Sequence, residues 1–277
     1  VAVRLPIYLD HQSTTPADPR VVDAMLPYFS DDFGNAASKT HVFGWRAEAA
    51  VELARETLAT AIGARTPAEI VFTSGATESI NLALKGAAHA RAGTKDHLVV
   101  AATEHRAVLD TCRALEAGGA TLTLLPVDGN GLLDPDALRR SLGPRTLLVS
   151  VMAANNEIGV LQPLEEIGRI CREHSVLFHC DAAQAAGKLP LDVEALGIDL
   201  LSLSAHKFYG PKGIGALYVR SRPRVRLDPL LHGGGHERGL RSGTLPVPLI
   251  VGAARALALS LEELPLEQPR LLGLRGR

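Results

Sequence analysis

Short apolar runs alternate with longer amphipathic stretches along most of this chain. Seven runs read as strands: Ile70 to Thr73, His97 to Ala101, Thr121 to Leu125, Leu147 to Val151, Val176 to Cys180, Leu200 to Leu203 and Gly215 to Val219. Between them, Phe43, Ala47, Ala50, Val51, Ala54, Leu58, Ala61 and Ile62 recur at helical spacing, and Gly63 stands where a helix C-terminus wants positive φ. Asp134-Pro135 and Gln162-Pro163 put proline where a first helical turn tolerates it, and Glu165 and Glu166 suit the positive end of the second of these helices. No internal repeat, low-complexity tract or linker interrupts the pattern before residue 264. Strand and helix in alternation predict an α/β fold, with one mostly parallel seven-stranded sheet and helices on both faces.

Composition narrows the class. The chain has 277 residues, 46% of them hydrophobic and 21% charged, enough to bury a full core. A net charge of −1 with scattered basic residues argues against nucleic acid and anionic membrane as partners and favours a small neutral or zwitterionic substrate. Three cysteines without CxxC spacing suggest neither a disulfide framework nor a thiolate metal site, and point to a reducing compartment. No run of 18 apolar residues and no signal-like segment appears, so the expectation is no membrane span. The first residue is valine, which leaves room for a removed targeting segment.

Three local features carry chemistry. Lys207 closes Ser204-Ala205-His206-Lys207 just past a strand and is followed by Gly210-Pro211-Lys212-Gly213. An amine at the strand ends of an open α/β sheet can be desolvated and used toward a carbonyl, most economically as a Schiff base with pyridoxal phosphate. Thr73-Ser74-Gly75-Ala76-Thr77-Glu78 passes from strand through glycine into a helix starting about Thr77, which makes a phosphate cup. Asp181 follows the run ending at Cys180, where a carboxylate held from water can keep a pyridinium nitrogen protonated. Each has a plainer reading: a surface lysine, a strand-to-helix turn capped by Thr77, a helix N-cap at Asp181. Their order, with Asp181 one strand-helix-strand unit before Lys207, is what favours a shared cofactor. His232, His236 and Glu237 do not read as a metal site, because three glycines between the histidines remove the helix that an i, i+4 ligand pair needs, and no metal is expected. Cys180 reads as an inert core thiol, and Cys112 and Cys171 as packing residues.

These features sit inside longer motifs. Tyr8-Leu9-Asp10, Thr14-Thr15-Pro16, Gly34-Asn35, Phe72 to Glu78, Thr103-Glu104-His105, Asn155 to Gly159, Asp181, Gln184, Ser204 to Lys207, Tyr209 to Gly213, His232 to Glu237 and Arg241-Ser242-Gly243-Thr244 follow in order. Together they resemble the NifS/IscS-type cysteine desulfurases of the class V aminotransferase family, and the Arg241 to Thr244 segment is similar to the IscS/NifS branch.

The resemblance implies the large domain of a pyridoxal-phosphate-dependent transferase. It implies that Lys207 carries the cofactor and shuttles the Cα proton, and that His105 stacks on the ring and assists proton transfer. Ala76, Thr77, Ser204 and His206 would hold the phosphate, Asp181 the ring nitrogen and Gln184 the ring hydroxyl, with Asn156 near the substrate carboxylate and Thr244 completing the neighbouring subunit's phosphate site. The activity implied converts L-cysteine to L-alanine and passes sulfur as persulfide to an acceptor or scaffold protein, for iron-sulfur clusters or tRNA thiolation, in a homodimer of the cytoplasm or an organellar matrix.

Two expectations qualify this. The family's loop cysteine and substrate-gripping arginine belong to a C-terminal segment not found in these 277 residues, so the organisation expected is a cofactor domain over 1–264 (including an N-terminal segment, 1–30), then 265–277 as the broken start of a missing small domain. Pro265 and Pro269 are expected to break the last helix, leaving its leucines without a partner surface. The competing reading is a shortened or inactive cofactor-binding paralogue or partner subunit. Selenocysteine lyase and aminotransferase are lesser variants on the same fold.

Overall fold

The computed structural model describes residues 5–276, and all seven runs form strands. They are β1 (Ile70–Thr73), β2 (His97–Ala101), β3 (Thr121–Leu125), β4 (Thr146–Ser150), β5 (Leu177–Asp181), β6 (Leu200–Ser204) and β7 (Gly215–Val219). β4 starts one residue before the hydrophobic pattern indicates and β5 one residue after it. Asp181 therefore ends β5, paired in register with Ser202, instead of following it.

The strands make one sheet in the order β1-β7-β6-β5-β4-β2-β3. Four pairings are parallel, and β7 runs antiparallel to both β1 and β6. The C-terminal ends of β1, β2, β4, β5 and β6 consequently share one edge with the start of β7.

Helices α1 (Pro19–Met25), α2 (Pro27–Ser30) and α3 (Val42–Ala61) precede the sheet. Within it, α4 (Ala76–Ala90) joins β1 to β2, α5 (Arg106–Ala117) joins β2 to β3, α6 (Pro135–Ser141) joins β3 to β4 and α7 (Leu164–Glu173) joins β4 to β5. Helix α8 (Val247–Arg275) follows β7. Because successive strand side chains point to opposite faces, each apolar run feeds two cores. Val71, Leu98, Val100, Leu148 and Leu217 meet Ile80 and Leu84 of α4 and Val108 of α5. Phe72, Val99, Val149, Phe178 and Leu201 meet Leu58 of α3, Ile167 of α7 and Leu257 of α8. Each such buried side chain contributes roughly 1.5–3 kcal/mol.

Two expectations change. The link from β5 to β6 is a series of turns with no α-helix. Gly187 and Gly197 adopt positive φ there and Pro190 lies between them, so no helical period develops. Helix α8 does not break, but runs through Pro265 and Pro269 to Arg275. Each proline forfeits one helical hydrogen bond, to the carbonyl four residues back, yet both rings are exposed on a solvent-facing stretch where such carbonyls can be hydrated. Leu266, Leu271, Leu272 and Leu274 are indeed exposed, while Leu261 packs on the core.

Candidate active site

The polar residues of the central strands gather toward the shared edge. On the face turned to α4, β4, β5 and β6 carry Ser150, His179 and Ser202 where apolar residues would otherwise stand. His179 bridges the other two, with Nδ1 2.8 Å from the Ser150 hydroxyl and Nε2 2.9 Å from that of Ser202. Burial pushes the His179 pKa down to about 3, so the ring is neutral and both its nitrogens are paired. Two residues on, the same face presents Asp181 and Ser204, and a cavity of about 630 Å³ opens above them.

The turn entering α4 forms one wall. Gly75 has φ +152° and offers no side-chain cap, so the first N–H groups of α4, at Ala76 and Thr77, have no partner within the helix and border the cavity. A side chain on Gly215 would come within 2.6 Å of the Gly75 Cα, so glycine at the start of β7 lets this turn close over the sheet. The Ser204 hydroxyl lies beside Gly75 in the same wall. Glu78, in the first turn of α4, would repel an anion, but Arg241 pairs with it at 2.8 Å and the Ser74 N–H donates to it at 2.6 Å. Burial alone would raise the Glu78 pKa; those bonds hold it below the usual range.

Lys207 sits in a single 3-10 turn, Ala205–Lys207, directly after β6. Its Nζ donates to the carbonyls of Gln12 and Ser13, both at 2.8 Å. Burial lowers its pKa from the ordinary lysine value, while Asp181 and Asp10 act in the opposite sense. His206, also half-buried, has Nδ1 3.1 Å from the Thr14 hydroxyl. Its pKa is pushed down by burial, then by Lys207 and Lys212.

Asp181 accepts the Ala183 N–H on Oδ1 at 2.9 Å, leaving Oδ2 for the cavity. Burial raises its pKa, and the Ala183 N–H, His105 and Lys207 pull it back toward the anion. His105 caps α5, with Nδ1 accepting the Ala107 N–H at 3.1 Å, so a neutral ring carries its proton on Nε2. Gln184 donates from Nε2 to the Gln12 carbonyl at 2.8 Å. Asn156 lies at the rim and bonds Glu157, and its neighbour Asn155 holds the turn by donating to the Thr103 carbonyl at 3.0 Å.

Nine of the ten residues singled out in the sequence thus border one cavity. Thr244 does not: it is exposed on the loop after β7, outside its own chain's cavity. That loop is clamped at Glu237, which binds Arg55 through two 2.8 Å contacts and accepts the Phe72 N–H at 2.7 Å.

Sequence reasoning missed Gln12 and Ser13, whose carbonyls meet Lys207, and it read Glu104 only as part of a motif. Glu104 is buried; Oε1 accepts the Met152 N–H, and Oε2 has no hydrogen-bond partner. Burial, then the charge of Asp181, holds its pKa well above the carboxylate range. The three cysteines are all buried, and burial pushes the Cys180 thiol well up and the Cys112 thiol up to about 12.

The family model of aminotransferase class V matches residues 7–270. A cysteine desulfurase IscS from Anaeromyxobacter sp. (strain Fw109-5) is 60% identical over 275 residues, covering 99% of this chain and 68% of the relative. Among solved structures, a NifS-like protein superposes with a TM-score of 0.94 at 43% identity, over 98% of this chain and 73% of that one. A structure described as SspA in complex with cysteine gives a TM-score of 0.87 at 47% identity, over 91% and 72% respectively. The chain spans about two thirds of the length of the curated relatives it matches.

Proposed function

The chain belongs to the class V aminotransferase family, in its IscS-type cysteine desulfurase branch, and on that premise we propose that its cavity binds pyridoxal phosphate at Lys207 and takes L-cysteine as substrate. The family is pyridoxal-phosphate-dependent. The observation that carries the reading is the convergence of a half-buried amine, a buried carboxylate and an uncapped helix N-terminus on one cavity. This donor set fits the cofactor: an anion site for the phosphate, a negative charge for the ring nitrogen and a nucleophile for the aldehyde. When bound, the cofactor supplies an electron sink for charge developing at the substrate Cα.

This chain's residues would do the rest. The α4 N-terminus, with Ser204 and His206, holds the phosphate. Asp181 Oδ2 keeps the ring nitrogen protonated. Lys207, its pKa lowered by burial, would hold the cofactor's aldehyde carbon and, with a larger neutral fraction than a surface lysine, would serve as the base at the substrate Cα. His105 has Nε2–H available on the cavity side, and Asn156 stands at the rim where a substrate carboxylate would lie. Thr244 is assigned to a partner subunit's phosphate site, and the exposed Phe29, Phe33, Phe43 and Trp45 support a homodimer.

Sulfur leaves when the substrate Cβ–S bond breaks and a thiolate acceptor takes the sulfur as a persulfide, with alanine released. Cys112, Cys171 and Cys180 are buried and held protonated, which supports an acceptor thiol outside these three. The same observation favours a second reading, a cofactor-binding domain that does not turn over alone. The sulfur's destination is proposed to be an acceptor or scaffold protein of the cytoplasm or an organellar matrix. No helix of the described residues is long and apolar enough to cross a membrane.

Borohydride reduction of the pyridoxal-phosphate-loaded protein followed by peptide mapping should label Lys207; bound cofactor with Lys207 unlabelled overturns the assignment. Sulfide release from L-cysteine by the 277-residue chain should not exceed that of free pyridoxal phosphate. Robust turnover would mean that one of the three buried thiols has been misread.

A further inference from the structure

We propose that Lys188 is a positioning residue: it locks the carboxamide of Gln184 so that only its N–H donors face the cavity, to meet an anionic ring oxygen beside the Lys207 amine. The proposal rests on the reading of the cavity as a pyridoxal phosphate site. A carboxamide has a donor end and an acceptor end of nearly the same shape, so Gln184 by itself does not choose which one it presents. An ammonium group has three donors and no acceptor. Lys188 Nζ lies 2.8 Å from Gln184 Oε1, and turning the amide over would set N–H donors against N–H donors.

The lock therefore comes from the side of Gln184 away from the cavity; Lys188 itself does not line it. Its backbone is held by the turn after β5, where the Lys188 N–H donates to the Ala185 carbonyl at 3.0 Å. Gly187, at φ +73°, is pressed against Phe208 and Ser260, so the turn cannot easily shift. Burial, then the charge of Lys207, lowers the Lys188 pKa to about 8, which still leaves an ammonium at neutral pH.

The locked amide and the reactive amine share one target. Gln184 Nε2 and Lys207 Nζ, from separate segments, converge on one oxygen, the Gln12 carbonyl, each at 2.8 Å. Two donors on one oxygen mark a position for an acceptor adjacent to the reactive amine. In pyridoxal phosphate the ring hydroxyl oxygen is ortho to the aldehyde carbon that an amine attacks, so the ligand brings an acceptor to that position. A reversed amide would turn its own oxygen against that anion.

The test is a pH titration of the visible chromophore of the loaded protein, with cofactor dissociation constant and apo-protein melting temperature measured alongside. A hydrogen bond donated to the ring oxygen stabilises its anion and lowers the chromophore's pKa. Q184A should raise that pKa, by about one unit. K188M should raise it in the same direction and weaken cofactor binding, and K188R, which also has donors only, should stay near wild type. Loss of a nearby positive charge would raise the pKa too, so the deciding arm is the double variant: a lock acting through Gln184 predicts that K188M adds nothing in the Q184A background. An equal K188M shift in both backgrounds, or no shift in the native one, overturns the proposal. If Q184A itself has no effect, the underlying placement of the ring oxygen fails with it. Should K188M melt early, K188Q removes the lock while keeping a hydrogen-bonding group at the site.

Discussion

Two strand-end carboxyl groups lie almost equally deep but among different partners. Asp181 closes β5 and is 4% exposed; Glu104, three residues past β2, is 5% exposed. Burial pushes both pKa values up, so depth does not distinguish them. Their surroundings do. Asp181 has the Ala183 N–H, then His105 and the Lys207 amine, acting to favour its anion. Glu104 has the Met152 N–H on one oxygen, no partner on the other, and Asp181 as the charge acting on it. Two acids that repel in a poorly solvated space divide the protons unequally. The anion is favoured at Asp181, which faces the Lys207 amine, and the proton at Glu104 behind it. A floor with a single negative charge, on Asp181, is what this arrangement favours.

Removing that charge should have the largest effect. D181N keeps the size and the Ala183 contact but cannot act as the anion opposite a protonated ring nitrogen. A loss of roughly 10²–10³-fold in cysteine turnover is expected when a thiol acceptor completes the system. The same variant tests Lys207. Capture of pyridoxal phosphate by the apo-protein should rise with pH as the amine deprotonates, with a midpoint below the ordinary lysine value of 10.5. Because Asp181 acts to raise that midpoint, D181N should lower it further in stopped-flow absorbance. A midpoint that stays put or rises would remove Asp181 from the charges that govern the amine, and the comparison with it.

A smaller effect on turnover is expected from the paired polar group beneath them. His179 differs from Glu104 in having both side-chain polar atoms bonded. S202A deletes one partner and leaves Nε2 buried and alone, at a cost of about 1–3 kcal/mol, read as a lower urea midpoint. Turnover per folded molecule should fall by less than roughly tenfold, since His179 supports the sheet and touches no substrate. A larger fall would mean that the histidine conveys charge to Asp181, and that the anion depends on more than its own contacts.

How far the sequence reached follows from the range of the contacts involved. β1, β2, β3 and β7 are legible to the residue because apolar runs of that length, bounded by turn residues, admit few other uses. Lys207, Asp181 and the Gly75 turn are legible for a related reason: each lies at or just past the end of its strand, and a parallel sheet brings such ends to one edge. The turns after β5 differ from the strand-helix-strand unit that the spacing predicts, and Gly187, Pro190 and Gly197 are the residues that argue against a helix there. Pro265 and Pro269 do not break α8, because at an exposed helix end the carbonyls that they leave unpaired can be hydrated. Glu104 and Lys188 could not be found by pattern, because acidic and basic residues are normally solvated and their burial is decided at a distance. Glu104 meets a backbone N–H 48 residues away, and the amide that Lys188 holds reaches a carbonyl 172 residues away.

E104Q should change turnover least, within roughly threefold, because glutamine keeps the shape and the neutrality that the buried acid already has. Its signature lies in how stability depends on pH. A carboxyl whose folded pKa is raised above the ordinary 4.5 keeps a proton that the unfolded chain has released. Its contribution to stability is thus fully present below about pH 4.5 and is lost as pH rises toward the folded value. Glutamine does not titrate, so the stability of E104Q relative to the native chain should be lowest below about pH 4.5 and climb as pH rises toward the folded value. Urea unfolding of both proteins across that range measures the difference. A flat difference would mean that Glu104 is ionised in the fold, with two negative charges behind the cavity, and the division of labour between the two carboxyls would be gone.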